Sequence, residues 1–232
     1  MFRILIILVF SLSVNLYSST GYTVELKCPL CDHDVSYWAQ ASYTIFYHEL
    51  DLKPGGAAVI PTPIPRCKNC NFAFMEDFFT KEEIQALKNF IINQKAFAGK
   101  DSLPNYYYLA YELELLNSKK YNHIVYFYVN SVWEYSNKKD KDKNIYAFLM
   151  RNAIDKINAL AKKDSEDYDN LQLIKLDFLR RLGSFEEAKT LIDTIKSNKN
   201  LYKEIVVDII SRQIKLIEEK DTQEHIIGKD DD

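Results

Sequence analysis

Glycine and proline are scarce, with six of each in a chain of 232 residues. An all-β fold reverses direction often and uses these residues to do so, which excludes it and leaves room for long helices. Cysteine and histidine are equally rare, at four each. An excess of one charge is also missing: 30 Lys and Arg stand against 33 Asp and Glu, for a formal net charge of −3. Lysines and acids alternate from Lys138 to Lys143, as in a solvated loop, and no basic stripe is present to follow a phosphate backbone. Nucleic acid is not an expected partner. No set of nucleophile, base and oxyanion donor emerges, so no enzymatic activity is expected.

What remains is a folded-protein composition, 47% apolar and 27% charged. Met1, Phe2 and Arg3 precede an apolar run from Ile4 to Tyr17, and the small residues Ser18, Ser19 and Thr20 follow. This is the layout of a secretory signal peptide over residues 1–20, and the run is shorter than the roughly 20 residues of a membrane span. The expected setting is therefore exported, periplasmic or extracellular. A membrane is expected as a partner only if the segment stays uncleaved as an anchor.

Residues 21–79 hold all four cysteines, most of the prolines and short aromatic and β-branched runs such as Ser42 to Tyr47. They predict a small β-rich module with the Pro54-Gly55-Gly56 segment as a hairpin turn. Thr80 with Glu83 forms a capping box that opens a connecting helix within residues 80–100. Apolar residues then recur at spacings of three and four, as in Tyr146, Leu149, Met150, Ala153 and Ile157. The pattern predicts helices near 80–97, 103–118, 122–137, 144–162, 167–182, 185–197 and 200–219. Residues 101–220 form a helical bundle and 221–232 a polar tail. At Leu182-Gly183-Ser184-Phe185-Glu186-Glu187-Ala188 a glycine able to turn left-handed ends one helix, Ser184 and Glu187 cap the next, and Ala188 permits close packing. Such a joint resembles the turn of tetratricopeptide repeats. A weaker copy sits at Lys119-Lys120-Tyr121, but Phe185 and Tyr121 do not stand at twice the roughly 34-residue period, so the array is degenerate.

The cysteines form two pairs, Cys28-Pro29-Leu30-Cys31 and Cys67-Lys68-Asn69-Cys70. Two residues between thiols let a tight turn aim both sulfurs at one ion, and two such turns complete a four-thiolate shell. Cys28, Cys31, Cys67 and Cys70 are therefore expected to bind one structural zinc ion. Asp32 and Asn71 follow the second cysteine of each pair, where φ is often positive, and both types tolerate it. Lys27, Arg66 and Lys68 adjoin the ligands and can offset the thiolate charge. Export leaves disulfides or a redox-active pair as alternatives, although neither pair opens a helix, where a reactive thiolate would be stabilised. His33 and His48 read as surface and strand residues, and His123 and His225 have no acid or nucleophile beside them. Tyr106, Tyr107, Tyr108 and Tyr111 read as core packing rather than a recognition groove.

The first knuckle, the stretch from Cys67 through Asn71-Phe72-Ala73-Phe74 to Asp77-Phe78, and Leu179 to Ala188 resemble in order the bacterial family domain of unknown function 2225. The resemblance covers residues 24–197 and departs from the family at Asp32 and Asn71, where Gly is usual. It also departs at Lys68, where Pro is common, and in the apparent signal peptide. It implies a zinc-ribbon-like domain followed by tetratricopeptide-like αα-hairpins, and no activity. The chain is thus expected to be mainly α with a small β-rich N-terminal module, a non-enzymatic scaffold whose helical hairpins hold a peptide or protein. A thiol-disulfide oxidoreductase or metal-handling protein is the alternative.

Overall fold

The first cysteine pair lies in the loop of a hairpin. Strand β1 (Thr20–Lys27) runs antiparallel to β2 (Asp34–Ser42), pairing Leu26 with Val35 and Lys27 with Asp34 next to that loop. This computed structural model describes residues 20–94, 102–163, 165, 167–197 and 204–228. Apart from Thr20, the expected signal segment lies outside the described residues, as do the two ends bounding helices at 95–97 and 200–203 and the last four residues of the tail.

A second hairpin joins β3 (Ile45–His48) to β4 (Pro54–Gly56), and here the turn expectation is corrected. Pro54-Gly55-Gly56 is a strand, not a turn. The reversal occurs at 49–53, where the Glu49 N–H donates to the Lys53 carbonyl at 2.9 Å and Leu52 has φ 62°. The glycines serve packing instead: a Cβ on Gly55 would stand 2.1 Å from the Tyr47 ring, and one on Gly56 would stand 2.5 Å from the Thr44 carbonyl oxygen.

Seven helices follow among the described residues, close to the expected ranges: α1 (Lys81–Gln94), α2 (Asn105–Leu115), α3 (Tyr121–Ser136), α4 (Lys143–Leu160), α5 (Tyr168–Arg181), α6 (Phe185–Ser197) and α7 (Glu204–Glu218). The capping box forms as read, with Thr80 N–H donating to Glu83 at 2.8 Å and Glu83 N–H donating to the Thr80 hydroxyl at 3.2 Å. Asp142 caps α4 by accepting from Asn144 N–H at 2.8 Å.

Gly183 takes φ 75°, Ser184 N–H donates to the Leu179 carbonyl, and Gly183 N–H donates to that of Arg180, both at 2.9 Å. This is a Schellman ending. The weaker joint has the same bonds, Ser118 to Leu113 and Asn117 to Glu114, with Asn117 at φ 49° in place of glycine. Consecutive helices from α2 to α6 pack on one another, and α7 closes against α5 and α6. Tyr106, Tyr107 and Tyr108 are buried in a core that runs without a break from Cys28 to Ile217.

The described residues of the expected polar tail are fastened to the fold. Ile227 N–H donates to the His48 carbonyl at 2.8 Å and Leu50 N–H to the His225 carbonyl at 2.9 Å, so residues 225–227 lie along the β3–β4 hairpin. Beneath them lies a buried ionic network. Arg180, fully buried, donates to Asp177 at 2.7 Å and to Gln213 at 2.9 Å, and to the carbonyls of Asp221 and Gln223, each at 2.8 Å. Arg181 reaches Asp51 at 3.2 Å, Asp177 at 3.4 Å and Glu224 at 2.9 Å. The Trp133 indole donates to Asp51 at 3.0 Å.

Removing one partner from a buried ion pair leaves an uncompensated charge in low dielectric. Asp51→Ala should therefore lower stability by about 3 to 5 kcal/mol in urea unfolding, far more than an exposed acid changed to alanine.

Candidate metal centre

Each cysteine pair folds into the same tight loop. In the first, the Cys28 N–H donates to the His33 carbonyl and the Asp32 N–H to the Cys28 carbonyl, both at 2.8 Å. In the second, the Cys67 N–H donates to Phe72 at 2.9 Å and the Asn71 N–H to Cys67 at 2.8 Å. Asp32 and Asn71 have φ 60° and 62°, the left-handed conformation their type tolerates. The β1–β2 pairing frames the first loop, and an isolated bridge between Arg66 and Ala73 frames the second.

The two loops bring all four sulfurs within 4.8 Å of one another. Cys28 and Cys70 are 3.7 Å apart, Cys31 and Cys67 3.6 Å, and Cys31 and Cys70 3.5 Å. A disulfide would need about 2.0 Å, so all four are free thiols. Tetrahedral zinc with bonds of about 2.3 Å places its sulfurs about 3.8 Å apart, close to these spacings. Sequence reasoning thus named the four residues that converge, and the donor set and its spacing fit a metal ion. Cys28 and Cys67 are buried while Cys31 and Cys70 are half-buried, so the cluster is open to solvent on one side only.

Protons on this cluster are unevenly held. The Cys70 thiol donates to Cys28 and drops it to about 5, with backbone N–H groups of Cys31 and Leu30 helping against desolvation. Cys70 rises for the reciprocal reason, and burial raises Cys67. A metal ion would displace these protons and share its charge among the four sulfurs. Two of the neighbouring cations have contacts of their own. Lys27 pairs with Asp34 at 2.6 Å and the Arg66 guanidinium stacks 4.6 Å from the Tyr108 ring centre. The Cys31 sulfur receives the Asn69 side-chain amide at 3.6 Å. His33 and His48 are exposed, in keeping with their bland reading, and His123 sits between Phe78 and Phe127.

One residue behind the site was missed in the sequence. Glu112 of α2, fully buried, accepts the Ala73 N–H at 2.9 Å just past the second loop. Its other oxygen is buried without a hydrogen bond among the described residues. Burial pushes this carboxyl well above the usual carboxylate range, against the pull of the Ala73 N–H, and the charge on Cys28 adds to the rise. The available signal was an acid four residues after Tyr108 and three after Leu109, on the apolar stripe of its helix. Asn105 and Tyr106 tie the preceding segment to the same helix, donating to the carbonyls of Ile64 and Thr62, each at 2.9 Å.

No family model matches the chain, and neither the search of curated proteins nor that of solved structures returns a match. Among the described residues, the four cysteines are the one group of three or more possible metal ligands.

Two substitutions probe the site. Cys67→Ser should abolish stoichiometric metal binding and also lower the melting temperature of the helices, because Ala73, Ile64 and Thr62 are bonded to α2; metal analysis with circular dichroism reads both. Glu112→Gln keeps an acceptor for Ala73 and cannot ionise. The raised carboxyl contributes stability that is whole below its unfolded pKa and is lost as pH rises toward the folded value. The variant should match wild type at about pH 4, below the unfolded glutamate pKa, and lose less stability than wild type as pH rises above it in thermal scans.

Proposed function

We propose that the protein is a non-enzymatic interaction scaffold whose four cysteines hold one structural zinc ion and whose helices bind a peptide or protein segment. The observation that carries the metal half is the convergence of four thiols at tetrahedral spacing, which leaves no open coordination position for a substrate. The binding half rests on a groove of about 400 Å³ between α4, α5 and α6. Ile154 and Leu191 supply apolar wall, and Tyr168, Gln172 and Lys175 supply polar groups along α5. Lys175 is drawn partly out of water, which lowers its pKa against the opposing charge of Glu187. A half-buried ammonium beside a carboxamide suits a peptide carboxylate or a run of main-chain carbonyls.

The resemblance to the family domain of unknown function 2225 supports the same reading and adds no activity. Two Schellman joints, at Asn117 and Gly183, favour a degenerate tetratricopeptide-like array. Export is the proposed setting, from the layout of residues 1–20. Bound zinc would then keep the thiols from pairing in an oxidising compartment.

Protein purified without added zinc should carry one zinc per chain and present no reactive thiol until a chelator is added. A dithiol that cycles with a redox buffer would instead establish the thiol enzyme. Lys175→Glu should abolish capture of a bound peptide or protein from an envelope extract without changing the melting temperature. Unaltered capture would remove the groove from the reading.

A further inference from the structure

Strand β1 is the edge of its sheet. Among the described residues it pairs with β2 and with no second strand, so alternate residues along it turn their N–H and C=O groups away from β2 with no ladder to join. The devices that usually blunt such an edge are weak here. β1 contains no proline, and its one irregularity lies between Thr20 and Gly21, at the end far from the metal centre. Register puts Tyr22, Val24 and Leu26 on one side of the hairpin, with Ala39, Tyr37 and Val35 opposite them, and that side carries no charge of its own. Glu25, Lys27 and Asp34 lie on the other side.

A cavity of about 250 Å³ opens beside the metal-centre end of β1. It touches Leu26 and Lys27, consecutive residues whose side chains point to opposite sides, and no residue of β2, so it lies along the free edge. Leu26, Phe74, Met75, Phe79 and Ile84 of α1 line it with apolar surface, and the exposed Glu76 and Asp77 add two carboxylates. Its one cation, Lys27, is taken by Asp34 at 2.6 Å, whereas neither Glu76 nor Asp77 has an ion pair among the described residues. Glu76 lies on the uncharged side of the hairpin: burial and then the charge of Glu76 raise the Tyr37 phenol, and Tyr37 faces that side.

These features select an occupant. A segment laid along β1 would bond to the unpaired main-chain groups and alternate its side chains, so that residues two apart share a side. On the side of Leu26 such a segment meets an apolar cavity and, next to it, carboxylates without a counter-charge. We propose that the free edge of β1 binds an extended peptide by strand addition, with a large apolar side chain in the cavity and a lysine or arginine two positions away on Glu76 and Asp77. This is a second binding surface, separate from the groove between α4, α5 and α6, and it does not rest on the scaffold reading.

The probe is a short, capped, fluorescent peptide of serine and threonine that carries one leucine and, two positions on, one arginine; the full chain is titrated into it and anisotropy is read. Saturable binding is expected, weakened at least about tenfold by Met75→Lys or Glu76→Lys, both exposed changes that leave the melting temperature unchanged. A peptide with glutamate in place of the arginine should reverse the preference and favour Glu76→Lys. Alternate peptide amides face β1, so N-methylating one alternate set should abolish binding while methylating the other leaves it intact. Lys175→Glu should have no effect. The proposal is overturned by absence of saturable binding, by indifference to Glu76→Lys, by equal effects of the two N-methylated sets, or by loss of binding in Lys175→Glu. Self-association of the chain that Met75→Lys removes would assign the edge to a second copy and overturn it equally.

Discussion

Asp51 and Arg181 form the contact on which the architecture turns. They come from the turn of the second hairpin and the end of α5, 3.2 Å apart and both buried, and they are joined by Trp133 of α3, Asp177 of α5 and, through Arg180, Gln213 of α7. Two buried carboxylates face two buried guanidiniums, and Glu224, nearer the solvent, adds a third carboxylate on Arg181. Burying any one of these groups alone would cost several kcal/mol, and together their hydrogen bonds offset that cost. The network therefore discriminates against arrangements in which one element is displaced, since each would strand a charge. Backbone carbonyls of Asp221 and Gln223 complete the Arg180 donors, which is why residues 221–223 are fastened although their composition is polar.

Much of this was legible in the sequence wherever a local rule was decisive. Helix ranges followed from apolar spacing, the cap from Thr80 and Glu83, and the loop conformations from Asp32 and Asn71. The four metal-type ligands followed because a pair of thiols two residues apart constrains its own geometry. The failures share a different cause. Pro54-Gly55-Gly56 has turn chemistry, but its glycines were needed to admit the Tyr47 ring and the Thr44 carbonyl, and that need comes from a partner strand. Glu112, Asp51 and Arg181 find decisive partners far away in sequence, Ala73 for the first and one another for the second and third, and only the tertiary fold brings those together.

The metal centre and the helices are energetically one system. The second cysteine loop leads directly to Ala73, whose N–H is held by Glu112, and the segment before it is held by Asn105 and Tyr106. Those two residues open α2, and their own N–H groups are capped by Glu134 at 3.0 Å each. Any free energy gained when a metal ion draws the two loops together is thus transmitted to the start of α2 and through Glu134 to α3. A module of residues 21–79 is too small to rest on its own core, and here it borrows the helical one.

Register connects the metal centre to the opposite end of the β1–β2 hairpin, where Trp38 covers Gly21. Successive residues of a strand point to opposite sides, so a slip of one residue would turn Trp38 inward and Val35 outward. Both strands are largely exposed, so burial alone specifies their register weakly. Here Cys28 and Cys31 occupy the loop between them, and a metal shared with Cys67 and Cys70 would allow that loop one length and one phase. The roughly 3.4 Å rise per residue then carries that phase about 25 Å to the open end. A structural ion can in this way decide which side chains the far end of the hairpin presents, without touching any of them.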